Sequence, residues 1–123
     1  MTNARAELGT VGEEAARRAY VARGYVVAAR NWRCRLGEID LVVRRGGVLV
    51  VCEVKTRRGD GFGGPFDAVT AKKQRRLRAL AAAYLQSPGT GFGRDELDVR
   101  FDVASVIVDG RGRPSVHLFE DAF

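Results

Sequence analysis

From Thr10 to Arg23 apolar residues recur at helical spacing (Val11, Ala15, Ala16, Ala19, Ala22), with Glu13, Glu14, Arg17 and Arg18 between them. That pattern predicts an amphipathic first helix, ended by Gly24. Tyr25 to Ala29 is a short apolar run that reads as a first strand, followed by a basic segment carrying one aromatic: Arg30, Asn31, Trp32, Arg33, Arg35. Glu38 to Arg44 and Val48 to Thr56 are rich in β-branched residues, as strands are. A glycine-rich loop from Arg57 to Phe66 leads to a second helix, about Ala68 to Gln86, whose core stripe is Leu77, Leu80, Ala81 and Tyr84. Lys73 and Gln74 project on the core-facing side near its start, while Lys72, Arg75, Arg76 and Arg78 spread over the opposite side. After a turn-rich connection from Ser87 to Gly93, Val99 to Val108 forms another strand. Asp109 to Pro114 then turns the chain into a last short strand, Ser115 to Phe119. The order is α-β-β-β-α-β-β.

Between the second and third strands lie Gly46 and Gly47. Consecutive glycines between apolar runs signal a two-residue hairpin, because its central positions call for positive φ. Counting outward from that turn pairs Arg45 with Val48, Val42 with Val51, Asp40 with Glu53 and Glu38 with Lys55. Side chains alternate along a strand, so the Val42–Val51, Asp40–Glu53 and Glu38–Lys55 pairs share one face. Opposed residues have Cβ atoms about 5 Å apart, and like charges held there destabilise the pair unless something compensates. A divalent cation, helped by Lys55, is the expected compensator.

Length and charge narrow the field. A chain of 123 residues is expected to form one domain spanning 1–123, with a single compact core. No apolar run reaches the ~20 residues needed to cross a bilayer, and Met1 to Gly9 lacks the apolar centre of a secretion signal, so a cytoplasmic protein without a membrane partner is expected. The net charge of +6 and pI near 10 favour anionic partners. The excess is almost all arginine, which codon usage in a GC-rich genome also produces. Cys34 and Cys52 have no metal-ligand spacing, and Cys52, inside a strand, reads as a buried reduced thiol. With His117 the only histidine, a histidine-based zinc site or a Ser-His-Asp triad has almost no material. Hydrolytic chemistry would rest on carboxylates, lysine and a hard ion such as Mg²⁺ or Mn²⁺.

Asp40, Glu53 and Lys55 are the strongest constellation. Each alone reads as a solvated sheet residue, and Glu38 opposite Lys55 as an ordinary cross-strand ion pair. The strand bearing Glu53 and Lys55 is otherwise apolar, which marks a central strand where uncompensated charge costs several kcal/mol. Phosphodiester hydrolysis uses such a set: carboxylates to hold Mg²⁺ against the scissile phosphate and a lysine to orient water and offset developing charge. Gly59, Gly61 and Gly64 match the spacing of a dinucleotide fingerprint, but Pro65 and Phe66 stand where the helix should open on the pyrophosphate. The loop reads as a mobile element beside a site or as a plain connection, and a nucleotide-binding enzyme is the weakest reading.

The run Asp40, then Glu53-Val54-Lys55, resembles the PD-(D/E)XK nuclease core. More widely, Gly9-Thr10-Val11-Gly12-Glu13, Arg30-Asn31-Trp32-Arg33, Gly37-Glu38-Ile39-Asp40-Leu41-Val42, Glu53-Val54-Lys55-Thr56-Arg57, Lys73-Gln74-Arg75-Arg76-Leu77 and Arg100-Phe101-Asp102-Val103 resemble the YraN family of small bacterial proteins. The resemblance implies a restriction-endonuclease-like α/β fold, an α-β-β-β-α-β core with a mixed central sheet flanked by helices. It implies Asp40 and Glu53 as metal ligands, the Val54 carbonyl as a third, and Lys55 as the catalytic lysine. Glu13 matches the first-helix acid that completes the site in the similar archaeal Holliday-junction resolvases, although the helical wheel does not separate it from Glu14. Ile39 stands where the motif has its proline, which is not a ligand.

Arg57 and Arg58, directly after the triplet, are candidate phosphate contacts, and Lys73 and Gln74 are second-rank candidates for nucleic-acid binding, with snorkelling at the helix end as their plain alternative. Trp32 either stacks on a base or packs on the sheet, packing being the safer reading, and Asp102 reads as structural. The expected function is that of a Mg²⁺- or Mn²⁺-dependent endonuclease acting on DNA, with branched or other non-standard structures as candidate substrates. So small a chain has little surface for base contacts, which favours shape recognition, with a homodimer as the candidate assembly. The main rival is a non-catalytic nucleic-acid-binding or adaptor protein on the same scaffold.

Overall fold

The computed structural model describes residues 4–59, 69–90 and 98–123. Helix α1 spans Ala4–Ala22 and α2 Ala71–Gln86; strands β1 to β5 span Val26–Cys34, Gly37–Arg45, Val48–Arg58, Asp98–Val108 and Pro114–Phe119. They form one mixed five-stranded sheet in the order β1-β2-β3-β4-β5. Among the described strands only the β3–β4 pair is parallel, and α2 lies on the crossover between them. The expected α-β-β-β-α-β core is therefore present. Gly61, Gly64, the start of the second helix at Ala68 and residues 91–93 fall outside the described residues.

The helix ends are built as the sequence indicates. Gly24 has φ +89°, its N–H reaches the Val21 carbonyl at 3.0 Å and Tyr25 N–H reaches that of Tyr20 at 3.1 Å. This paired closure satisfies carbonyls at the end of α1 and turns the chain into β1. At the start of α2 the Thr70 hydroxyl accepts Lys73 N–H at 3.1 Å, an N-cap that fixes where the first turn begins.

Two apolar layers hold the helices to opposite sides of the sheet. Ile39, Val42, Leu49, Val51, Phe101 and Val103 pack with Leu77, Leu80, Ala81 and Tyr84 of α2. Leu41, Val43, Val50, Cys52 and Ala104 pack with Ala16 and Tyr20 of α1. Between adjacent residues such as Val50 and Val51 the alternation is strict, which is why the central strand reads as a continuous apolar run.

Two elements run further than their sequence patterns indicate. Helix α1 begins at Ala4 rather than Thr10, and Leu8 packs against the cluster of Ala15, Val106 and Val108. Strand β1 continues through the basic segment to Cys34, because arginines on an edge strand can face solvent while Trp32 turns inward. Trp32 meets Tyr84 edge to face, ring centroids 5.4 Å apart, so it packs as expected.

Candidate active site

The β2–β3 hairpin turns at Gly46, φ +57°, and its ladder runs from Arg45↔Val48 to Leu41↔Cys52. This is the register counted from the glycine pair. At its far end the ladder stops. There the alternation of β2 also breaks: Ile39 packs on the α2 side and Leu41, two residues on, packs on the α1 side. Asp40 sits at this break, and Glu53 is the next residue of β3 beyond the last ladder pair. β3 itself continues straight, paired with β4 as far as Arg58↔Val108.

The Asp40 carboxylate spans the opening by accepting Val54 N–H at 2.8 Å. Burial pushes its pKa from 3.8 up to about 7; the negative charge of Glu53 adds to the rise, the Val54 N–H opposes it, and Glu13 and Glu38 add further. The acids therefore feel one another. Glu38 does not meet Lys55 across the hairpin as the outward count suggests: β2 has parted from β3 by then, and Glu38 pairs with Arg33 of β1 at 3.5 Å.

Glu53 has a side chain only 14% exposed, and its Oε1 lies 2.7 Å from the Nζ of Lys73 on α2. Lys55 follows on β3 and, with Glu53, Val54, Thr56 and Arg57, lines a surface hollow of about 380 Å³. Arg58 stands exposed at the strand end. The amide nitrogen of Gln74 donates to the Val69 carbonyl at 2.9 Å, tying down the entry to α2.

Helix α1 approaches β3 closely because residue 12 is glycine. A Cβ there would lie 1.7 Å from Thr56 Oγ1. This contact sets Glu13 beside the sheet opening, where it acts on Asp40. Its neighbour Glu14 is engaged elsewhere, by Arg17 at 2.6 Å, Arg18 at 3.2 Å and Arg30 at 3.3 Å. The Arg17 hydrogen bond, first among these, holds the Glu14 carboxyl down at about 2. The structure thus separates the two acids that the wheel leaves equivalent. Among the described residues, no group of three or more His, Cys, Asp or Glu side chains converges closely enough to hold a metal ion.

Residues 12–106, from the helix glycine to near the end of β4, match the model of a family described as "Uncharacterised protein family UPF0102". The chain belongs to the UPF0102 family. This is the YraN family of the sequence resemblance. A UPF0102 protein of Acidothermus cellulolyticus is 45% identical, covering 98% of this chain and 96% of its own length. One of Streptomyces coelicolor is 50% identical over 93% of this chain and 86% of its own, and one of Symbiobacterium thermophilum 48% identical over 94% and 95%.

This UPF0102 chain also holds a buried polar network behind the site. Asp102, fully buried on β4, accepts from Tyr20 at 2.7 Å, from Arg100 Nε and Nη2 at 2.9 Å each, and from Asp121 N–H at 3.0 Å. Arg100 also donates to the Tyr25 hydroxyl at 3.0 Å. The structural reading of Asp102 holds. Beside it, burial pushes the Cys52 thiol well above its ordinary range, so Cys52 is an inert core residue.

Proposed function

We propose that the protein is a divalent-metal-dependent nuclease hydrolysing phosphodiester bonds in DNA, with branched or otherwise non-standard structures as its candidate substrates. Membership of the PD-(D/E)XK superfamily is part of this reading. The observation that carries it is the placement of Asp40 and Glu53 where β2 leaves β3, with Lys55 next along β3 at the hollow. A structural role alone gives little reason for two acids at the end of an apolar hairpin, one of them held up to about 7 by burial and by the other.

The donor set suits a hard cation. Asp40 and Glu53 offer carboxylate oxygens. The Val54 carbonyl leaves the strand on the side its N–H takes toward Asp40, since a strand residue exchanges both groups with the same neighbour. Mg²⁺ keeps several waters and needs few protein ligands, so a site without three converging side chains is compatible with it. When bound, the ion supplies Lewis-acid polarisation of a phosphoryl oxygen. The protein's own groups do the rest: Lys55 orients the attacking water and offsets charge on the phosphate, while Arg57 and Arg58 grip neighbouring phosphates. Sequence-independent attraction follows from the net charge of +6. No described helix is long and apolar enough to cross a membrane.

A second reading is a nucleic-acid-binding or adaptor protein without catalysis. The contact of Lys73 with Glu53 favours it, because one of the two acids already has a counter-charge. A cleavage panel of single-stranded, duplex, flapped and four-way-junction DNA with Mg²⁺ or Mn²⁺ separates the readings. The nuclease cuts at least one substrate, stops with chelator and is abolished by Lys55→Ala. Equal trace activity in wild type and variant would mean contamination and leave the adaptor reading standing.

A further inference from the structure

Resting on the metal-dependent reading above, we infer that Lys73 is a counter-ion that holds the cation's place at Glu53 in the metal-free protein and passes to the DNA backbone when the cation binds. The contact at 2.7 Å joins an almost enclosed carboxylate, 14% exposed, to an ammonium whose side chain is 37% exposed. A shielded carboxylate needs a counter-charge. An ammonium and a divalent ion on the same carboxylate repel, so arrival of one weakens the other.

Lys73 is built to make that exchange. Its backbone is pinned, since its N–H donates to the Thr70 cap. The four-carbon stem leaves the ammonium free to swing while the helix stays in place. Once released, it finds no acid in the first turn of α2, and Lys72, Arg75 and Arg76 stand exposed nearby on the same helix. Those cations repel it toward an anion in front of the site. A phosphate of bound DNA is the anion that the proposed substrate brings there. Metal loading and DNA grip are thereby coupled, and by linkage the coupling is reciprocal.

The test uses the full chain. Mn²⁺ is titrated without DNA by calorimetry or by the EPR signal of the free ion, against wild type, Lys73→Ala, Lys73→Gln and Asp40→Asn. Loss of a part-exposed competing ion pair should tighten Mn²⁺ binding about two- to fivefold in both Lys73 variants, and Asp40→Asn should weaken it. DNA affinity is then measured against salt in a Lys55→Ala background, with and without Mn²⁺. The change in log–log salt slope that metal brings should be larger by about 0.9, one phosphate contact, when Lys73 is present than in Lys73→Ala, the ion's own contact being common to both. If wild type binds Mn²⁺ through Asp40 but the Lys73 variants bind it no more tightly, the exchange is wrong and the metal site stands. If wild type binds no Mn²⁺, the nuclease reading fails and takes the exchange with it.

Discussion

The Asp40 carboxylate and the Val54 N–H, 2.8 Å apart, join β2 to β3 just past the last rung of their ladder. A side chain has taken over from backbone pairing. The same carboxylate lies close enough to Glu53 and Glu13 for their charges to raise its pKa, so the bond sits at the centre of the candidate chemistry.

Asp40 makes stability fall with pH. Its folded pKa, about 7, lies above the ordinary value of 3.8, so from about pH 4 to 7 the unfolded chain gives up this proton first and the folded state loses ground. The penalty is complete above about pH 7 and absent below about pH 4. Asp40→Asn keeps an acceptor for Val54 and removes the penalty. It should stabilise the protein by about 1–3 kcal/mol at pH 8 and by nearly nothing at pH 3.5. Thermal unfolding of both proteins across that range checks the difference. A constant offset at all pH values would contradict the assignment.

Lys55→Ala should fold normally and lose about a hundredfold or more in cleavage rate, with duplex affinity reduced only by the loss of one charge. Single-turnover kinetics beside equilibrium DNA binding separate the two effects. A variant that still cuts at the wild-type rate would remove Lys55 from the reaction.

Gly12→Ala should destabilise by about 1–3 kcal/mol although alanine is the better helix former, because its Cβ would lie 1.7 Å from Thr56 Oγ1. The double variant with Thr56→Ala should recover part of the loss, a coupling readable by denaturant titration. Simple additivity would show that α1 does not rest on β3 through this pair.

Asp102→Ala should cost about 2–4 kcal/mol, since it removes the acceptor of the buried Tyr20 hydroxyl and leaves the part-buried Arg100 with only Tyr25 and a more distant Glu120. Tyr20→Phe, which removes one donor and leaves the Arg100 pair, should cost about 1–2 kcal/mol. A soluble, fully folded Asp102→Ala protein with unchanged melting temperature would refute the network's role.

Much of the fold was legible because its signals are local. Gly46 and Gly47 between two apolar runs are enough to set the hairpin register, and Gly24 closes α1 as its position indicates. The misread parts depend on distant partners. By its sequence pattern β1 ends at Ala29, where arginines interrupt the apolar run, and only its place at the sheet edge makes them acceptable. The outward count carried Glu38 to Lys55 because it assumed a ladder that the break at Asp40 ends. For the site, Lys73 could be assigned a helix face but not Glu53 as its partner, which belongs to another element. Glu13 and Glu14 were inseparable by helical phase, and Arg30, brought in by β1, helps to tell them apart.

The parting of β2 from β3 also sets how this part of the molecule breathes. Up to Cys52, β3 has neighbours on both flanks; from Glu53 it keeps regular pairing only with β4. Amide exchange should accordingly be slowest at Val50 and Val51 and quicken across the next few residues. Glu53 and Lys55, two of the groups proposed to act on the phosphate, thus ride on the central strand of the sheet at the point where its second neighbour leaves it.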